Sequence, residues 1–435
     1  METRHSLYIV SVGPGGEEYL TRAAESVLMT ADCLFIARRH LPLAKERPNV
    51  ELLSNLEDSL PLIEGRLSRG SVAVAVSGDA GIFSFMPRLK KRFPDRDIVV
   101  IPGVSALQSL CAALGETWDD AGVKSVHGAS SIDRDAPPSA IAGLVAHNRK
   151  TVFFCGPNRD PAWLCSILSE RAFDVNVAVG ERLSYPDERI TKGKPSELLG
   201  QNFDALSVVM ALNPDPLHEF PPRPRDEDFL RSPSIPMTRE DVRTIILDRL
   251  NLTRDAVLWD IGAGTGSVSV ACSQLCPYGE VHAVERLPEA IQLLNANKKK
   301  FRAYNLFARE GDAEKLIESL PSPTHVFVGG SGGGEKLRQI LEYVGNPGAS
   351  GEGKVFVAVS GVTLSTIGTA YEILSGTDFS GLDVTQISVS RGKTVGDSMI
   401  LAAQNPVTLL SAWTSRRMDN CDSLSCNSQR IKGCI

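Results

Sequence analysis

From Val257 the chain reads Val-Leu-Trp-Asp-Ile-Gly-Ala-Gly-Thr-Gly, an apolar run ending in Asp260 before Gly262, Gly264 and Gly266 alternate. Glycine at such positions lets the backbone turn left-handed and approach a ligand closely. Glu285 closes the next apolar run about twenty residues on, where a carboxylate can bind both hydroxyls of a ribose. An adenosine cofactor is the chemistry this pattern offers. A dinucleotide loop reads G-x-G-x-x-G over a pyrophosphate at a helix N-terminus. This loop reads D-x-G-x-G-x-G, which disfavours NAD and keeps an NAD-dependent oxidoreductase only as an alternative.

A second glycine run, His325-Val-Phe-Val-Gly-Gly-Ser-Gly-Gly-Gly-Glu-Lys336, invites comparison with a nucleotide phosphate loop. That loop needs lysine directly after its last glycine, then Ser or Thr. Here Glu335 intervenes and Leu337 follows, so a nucleoside triphosphate is not expected. The run leaves the carboxyl end of a strand, where α/β enzymes bind ligands, and is expected to flank an acceptor substrate. The first half carries Gly13-Pro-Gly-Gly16, Ser77-Gly-Asp-Ala-Gly81 and Pro102-Gly-Val-Ser-Ala106, each by itself no more than a turn.

These motifs need elements to hold them. Apolar runs predict strands at Leu7–Val12, Cys33–Ala37, Val72–Ser77, Ile98–Ile101, Thr151–Phe154, Asn176–Val179 and Ser207–Leu212. Helical periodicity predicts Tyr19–Met29, Pro87–Arg92, Ala106–Leu114 and Pro161–Glu170 between them, an α/β alternation. In the second half a helix over Thr238–Leu250 is expected, with Thr238 as N-cap and Asp241 in the capping-box position. A strand at Ala256–Ile261, a helix from Val268 to Leu275, a strand at Glu280–Glu285 and a helix from Pro288 to Ala303 follow. The halves share no sequence repeat. Between them, Asn213 to Pro236 is dense in proline and charge, which predicts a semi-rigid, extended linker. The expected organisation is therefore 1–212, a linker at 213–235, a second domain at 236–413, and a disordered tail at 414–435.

The 435 residues suit two domains, and 42% hydrophobic with 23% charged residues is ordinary globular usage. A net charge of −6 supplies no basic field for nucleic acid or an anionic membrane. No apolar run approaches the length of a membrane span, and the N-terminus does not read as a signal peptide, so a cytoplasmic location is expected. The nine cysteines are scattered without a C-x-x-C, and no metal site is expected. Cys272 and Cys276 read as buried core thiols, and Cys421, Cys426 and Cys434 fall in the polar tail.

The tight D-x-G-x-G-x-G loop resembles motif I of the Rossmann-like methyltransferases, whose ligand is S-adenosylmethionine, a zwitterionic amino acid bearing a sulfonium. Pro236-Met-Thr-Arg-Glu240, the loop Asp260–Gly266, the loop Phe327–Gly333 and the ending Ser390–Val407 together resemble the decarboxylating precorrin methyltransferases that act at position 15. That likeness covers roughly Pro236 to Trp413. The segment from Val10 to Thr21, Ser77–Phe83 and Pro102–Ala106 resemble the tetrapyrrole methylases, and Gly180–Ile190 resembles a segment of their position-5 branch; the four stand in order and at family spacing over about Leu7 to Leu212. Gly16 stands where many relatives have Asp, so no carboxylate role is assigned there. The two halves together resemble a fused precorrin methyltransferase of corrin-ring synthesis.

The resemblance implies a tetrapyrrole methylase fold of two α/β subdomains with a cleft, then a Rossmann-like methyltransferase fold. It implies two S-adenosylmethionine sites. The first involves Gly13, Pro14, Gly78, Asp79, Ser105, Ala106, Leu183 and Ala211. The second involves Thr238, Gly262, Ala263, Gly264, Thr265, Gly266 and Glu285, with Asp312 and Ala313 beside the adenine. Gly103 and Gly264 are expected to give each backbone close approach to its cofactor. The implied acceptor is a precorrin, methylated at meso carbons 5 and 15 and relieved of one acetate carboxyl. Such carbons are enamine-like, so no Ser, Cys or His nucleophile is required; alignment supplies most of the rate. The acceptor's carboxylates need cations, for which Arg38, Arg39, Arg182, Arg391 and Lys393 are candidates. Homo-oligomers and no nucleic-acid partner are the further implications. An RNA methyltransferase fused to a tetrapyrrole-methylase-like domain, and a non-catalytic scaffold, remain the other readings.

Overall fold

A computed structural model describes residues 5–127, 137–218, 222–330, 334–346 and 353–415. The chain divides between Glu219 and Phe220 into two compact units.

Runs such as Val72-Ala-Val-Ala-Val76 are buried on both faces, the mark of parallel strands covered by helices. In the first unit β1 (Leu7–Ser11), β2 (Cys33–Ile36), β3 (Val50–Leu52), β4 (Val72–Val76) and β5 (Ile98–Ile101) form a wholly parallel sheet ordered β3-β2-β4-β1-β5. A second, mixed sheet takes β6 (Ala121–Ser125), β7 (Lys150–Phe154), β8 (Asn176–Glu181), β9 (Arg189–Gly193) and β10 (Ser207–Leu212) in the order β6-β7-β10-β8-β9. The helix Ala106–Leu114 gathers Leu107, Leu110 and Cys111 with Val152, Val208 and Met210 of that sheet.

The second unit is built on β11 (Val257–Ile261), β12 (Glu280–Glu285), β13 (Leu306–Glu310), β14 (His325–Val328), β15 (Phe356–Gly361) and β16 (Phe379–Ile387). The hairpin of β17 (Ser390–Val395) and β18 (Ser398–Ala403) comes next, and β19 (Val407–Thr414) returns to the main sheet. Its order is β13-β12-β11-β14-β15-β19-β16, parallel through β15 and antiparallel beyond. Chain order reverses at β11, between β12 and β14, which opens a crevice at the carboxyl ends of the strands. The hairpin is a separate two-stranded sheet, with Met399 73% and Leu401 76% exposed. Thr414, placed in the tail by sequence, is buried and ends β19; residues 416–435 lie outside the described residues.

The α/β alternation stands where patterning put it, but several elements left no periodic signal. The helix Pro138–His147 is buried almost all round, so its sequence is apolar without a stripe. The helix Leu56–Leu67 contains Pro61. Strand β16 is exposed along most of its length and does not alternate.

The proline-rich stretch is not a free tether. Asn213 donates to the Val145 and Ala146 carbonyls at 2.9 and 3.2 Å in the first unit. From residue 222 on, the chain is bound to the second unit. Phe229 is buried against Phe301, ring centroids 4.8 Å apart, and Asn297 exchanges side-chain hydrogen bonds of 2.8 and 2.9 Å with the Leu230 backbone. Asp226, buried, accepts the Glu240 N–H at 2.9 Å and pairs with buried Arg243 at 3.3 Å. This corrects the expected helix start. The helix runs Glu240–Leu250 with Arg239 at its N-cap and no side-chain cap, so Thr238 and Asp241 form no capping box. The carboxylate that neutralises Arg243 already meets the helix N-terminus, and Thr238 contributes its carbonyl to Arg243 at 2.8 Å instead.

Candidate active sites

In the second unit the loop after β11 crosses the loop after β14. Gly262, Gly264 and Gly266 have φ of +74°, +56° and +78°, all left-handed. A Cβ on Gly262 would lie 1.8 Å from the Gly330 carbonyl oxygen, so this glycine is demanded by the crossing of two loops. Glu285, buried at the end of β12, accepts the Gly264 N–H at 3.0 Å on one oxygen. Its other oxygen accepts from Arg286 and Leu287 N–H at 2.8 and 3.0 Å. One carboxylate thus shapes the loop and keeps lone-pair capacity for a ligand hydroxyl. Asp260 is buried beneath and accepts from the Ser269 hydroxyl. Burial, opposed by that hydrogen bond and reinforced by the Glu285 charge, pushes its carboxyl up to about 6. The Thr265 hydroxyl is buried without a partner among the described residues; Ala263 lies in the same turn, its N–H on the Val284 carbonyl at 3.2 Å.

Across the cleft, Asp312 accepts from Lys336 at 2.6 Å and Lys315 at 3.3 Å, and Lys336 also pairs with Glu314 at 2.8 Å. The hydrogen bond from Lys336, with that from Lys315, holds the Asp312 carboxyl below the usual range. A small cleft is lined by Gly262, Glu285, Asp312, Ala313, Gly330 and Lys336 among others. Lys336 entered the sequence reading only through the rejected phosphate loop. Its signal was its place in the first turn of the helix Gly334–Gly345, behind a strand-end glycine run. Ser331–Gly333 of that run lie outside the described residues. Arg391 is already engaged, its Nε and Nη2 on Asp241 at 2.7 and 2.6 Å, whereas Lys393 stands exposed on β17.

In the first unit, Gly13 and Gly78 exchange backbone hydrogen bonds of 3.3 and 2.7 Å, which ties the loop after β1 to the loop after β4. Asp79 accepts from the Gly81 and Gly103 N–H groups, each at 2.8 Å. A Cβ on Gly103 would stand 2.6 Å from the Ser11 Cβ. Packing on β1 therefore requires that glycine, beside whatever approach to a cofactor it allows. Ser105 caps the helix that Ala106 begins, in a complete capping box with Gln108. Beyond Pro14, a Cβ on Gly15 would meet the Tyr185 ring at 2.3 Å, and the Gly16 N–H donates to Ser184 Oγ at 3.0 Å. The Tyr185 hydroxyl is buried without a partner among the described residues. Leu183 and Ala211 are buried, Ala211 within the β10 ladder between Thr151 and Val177. Arg182 is occupied by Asp187 at 2.6 Å and covers the Tyr185 ring at 4.9 Å. Arg38 and Arg39 are exposed, and Arg39 reaches Ser77 Oγ at 2.6 Å and His40 Nε2 at 3.2 Å. His40, buried, was missed by sequence reasoning; the signal was a cation pair and an imidazole directly after a strand.

Residues 6–199 match the family of tetrapyrrole (corrin/porphyrin) methylases, and residues 233–414 match the precorrin methyltransferase domain. A Pyrobaculum aerophilum protein named "probable cobalt-precorrin-6B C(15)-methyltransferase (decarboxylating)" is 32% identical over 190 residues, 43% of this chain and 94% of its own length. The chain belongs to the precorrin methyltransferases. A Sinorhizobium protein named precorrin-6Y C(5,15)-methyltransferase (decarboxylating) is 26% identical over 333 residues, 75% of this chain and 78% of its own. The solved precorrin-6Y C5,15-methyltransferase of Geobacter metallireducens is 33% identical and covers 43% of this chain and 95% of that one, with a TM-score of 0.40.

As a precorrin methyltransferase the chain is an S-adenosylmethionine-dependent enzyme of cobalamin biosynthesis. The described residues contain no cluster of His, Cys, Asp and Glu suited to a metal ion. Cys272 and Cys276 are fully buried; burial raises both thiols, Cys276 to about 12. No described helix is long and apolar enough to cross a membrane.

Proposed function

We propose that the chain methylates a precorrin at meso carbons 5 and 15 and removes one acetate carboxyl, using one S-adenosylmethionine site in each unit. The observation that carries this is two cofactor loops of unlike construction on one chain, within stretches matching two different methylase families. The first site would use Gly13, Pro14, Gly78, Asp79, Ser105, Ala106, Leu183 and Ala211. The second would use Thr238, Gly262 through Gly266, Glu285, Asp312 and Ala313.

The residues present fit the cofactor. The unpartnered Thr265 and Tyr185 hydroxyls offer buried polar atoms, and Gly330 leaves its nearest neighbour 3.6 Å from an added Cβ. When bound, the cofactor supplies an electrophilic methyl on a sulfonium. The chain's part is alignment, on the order of 7–11 kcal/mol where reactants are well positioned. Glu285 fixes the loop that would seat the ribose, and Asp312 is held as a carboxylate that can accept from an exocyclic amine. Loss of the acetate carboxyl as carbon dioxide leaves an electron pair that the conjugated macrocycle can delocalise until a proton is taken up. The same reading includes self-association, supported by the exposed apolar side chains of the β17–β18 hairpin, and no nucleic-acid partner.

Calorimetry or native mass spectrometry with S-adenosylhomocysteine should count two molecules per chain, and neither NAD nor RNA should bind. A single site, or tight NAD binding, would overturn the assignment. Product mass should show Gly264→Val losing position-15 methylation and decarboxylation together, while position-5 methylation of an already decarboxylated acceptor persists.

A further inference from the structure

A small polar cluster stands at the carboxyl edge of the first unit's parallel sheet. Strand β2 ends at Ile36, and the 3-10 turn Arg38–Ala44 follows; its sheet neighbour β4 ends at Val76 and delivers Ser77. Arg39 Nη2 donates to Ser77 Oγ at 2.6 Å, and Arg39 Nε donates to His40 Nε2 at 3.2 Å. His40 Nε2 also lies 2.7 Å from Ser77 Oγ. An arginine Nε can only donate, so His40 Nε2 is an acceptor and the ring proton sits on Nδ1. Ser77 then donates to the imidazole and accepts from the guanidinium. His40 is 1% exposed, while Arg39 opens to solvent. Burial and the Arg39 charge hold the imidazole neutral, at about 4.

What this arrangement lacks is an anion. Arg182, Arg189, Arg243 and Arg391 are each paired with a carboxylate. Arg39 is held by two neutral groups, and no described residue pairs with its Nη1. A cation immobilised without neutralisation is pre-organised for an external acid, and a guanidinium fork matches a carboxylate. Its place is informative too. Ser77 adjoins Gly78, whose backbone is bonded to Gly13 in the first unit's cofactor loop. An acid gripped here would register the rest of its molecule against that loop.

We propose that Arg39 is the receptor for one carboxylate of the tetrapyrrole acceptor, with His40 and Ser77 as positioning residues that aim it. The methylation readout rests on the reading that the first unit methylates this acceptor; the binding readout does not. The test uses the full chain and the polycarboxylated porphyrin uroporphyrin as binding probe, followed by its fluorescence. The apparent KM for a decarboxylated precorrin in position-5 methylation is measured in parallel. Arg39→Gln should weaken probe binding and raise KM about 10- to 100-fold, as expected for one charge-assisted pair, with S-adenosylhomocysteine affinity unchanged. Arg39→Lys should recover only part of this, because the fork is lost. His40→Leu should follow Arg39→Gln, and His40→Gln, which keeps an acceptor near the Nε2 position, should stay closer to the wild type. Should the His40 variants fail to fold, exposed Arg39 still decides the matter. If Arg39→Gln leaves uroporphyrin binding unchanged, the subsite is wrong, whatever the methylation shows. A fall in cofactor affinity equal to that in probe affinity overturns it as well. If the wild type transfers no methyl to position 5 but porphyrin binding still depends on Arg39, the methylation reading fails and the subsite stands.

Discussion

The loops after β1 and after β11 leave parallel strands at the same kind of edge, yet they are built differently. In the second unit one side chain, Glu285, gathers three N–H groups and sets the loop. In the first unit three separate chain segments do that work: Gly78 bonds Gly13, Ser184 accepts from Gly16, and Asp79 ties the second loop to Gly103. The second unit also relies on buried carboxylates, Asp226, Asp260 and Glu285, whereas Asp79 of the first is only half-buried. A site organised by a few buried charges should fail sharply on single substitutions. A site organised by distributed backbone contacts should degrade in smaller steps.

The largest effect expected is Asp226→Ala. It removes the partner of buried Arg243 and the acceptor for the Glu240 N–H. Leaving a buried cation unpaired costs about 3–5 kcal/mol. Denaturant unfolding of the full chain should show the second unit's transition falling to lower denaturant while the first unit's stays. A fragment starting at 236 should be similarly impaired compared with one starting at 222. Equal loss in both transitions would mean that the units do not fold independently and do not differ in how their loops are held.

Asp260 offers a test with a pH axis. Burial pushes its carboxyl up to about 6, above the ordinary aspartate value of 3.8, so folding favours the protonated acid. Well below pH ~4 both states are protonated and the carboxyl costs nothing; the cost grows between about 4 and 6 and is constant above. The rise from 3.8 to about 6 corresponds to about 3 kcal/mol. The stability of Asp260→Asn relative to wild type should therefore be higher at pH ~7.5 than at pH ~4, by up to that amount. A difference independent of pH would show that Asp260 is not a strained carboxylate.

Glu285→Ala comes next. It should weaken S-adenosylhomocysteine binding in the second unit by about 1–3 kcal/mol, the cost of leaving backbone donors and ligand hydroxyls unpaired. The first unit's affinity should not change. Calorimetry resolving two sites would check this, and an unchanged weaker site count with both affinities intact would remove Glu285 from the cofactor assignment.

How much of this was readable in advance follows from the same contrast. Asp260, the three glycines and Glu285 lie in one strand–loop–helix–strand stretch, where spacing alone implies proximity. The β11, β12 and glycine-loop reading needed no long-range information. The packing of Gly103 on Ser11, some ninety positions away along the chain, was not legible, because no local pattern announces that contact. Arg39, His40 and Ser77 meet only because β2 and β4 are sheet neighbours. Thr238 looked like a cap because the competing carboxylate, Asp226, sat in a segment read as linker. Composition identified that segment's prolines correctly, but it could not tell an extended strap bound to a surface from an extended tether.

The smallest effect belongs to Lys336, and it sharpens the comparison most finely. Lys336 bridges Asp312 and Glu314 from the first turn of the next helix, and it is partly exposed. Its own pKa is raised by the hydrogen bonds it donates to Asp312 and Glu314, so it stays cationic through neutral pH. An exposed bridge contributes little to stability, since water and ions screen it. Its consequence should be positional. Without the lysine, Asp312 can swing away from the direction in which an exocyclic amine would be met. Lys336→Met should therefore lower S-adenosylhomocysteine affinity by a factor of about five or less, with an unfolding midpoint close to wild type. Lys336→Arg should restore part of it, because a guanidinium can still span two carboxylates. Inosine-containing analogues, which lack the exocyclic amine, should bind wild type and Lys336→Met with similar affinity. If Lys336→Met weakens the amine-bearing and amine-lacking ligands alike, the lysine acts on the shape of the cleft and not through Asp312.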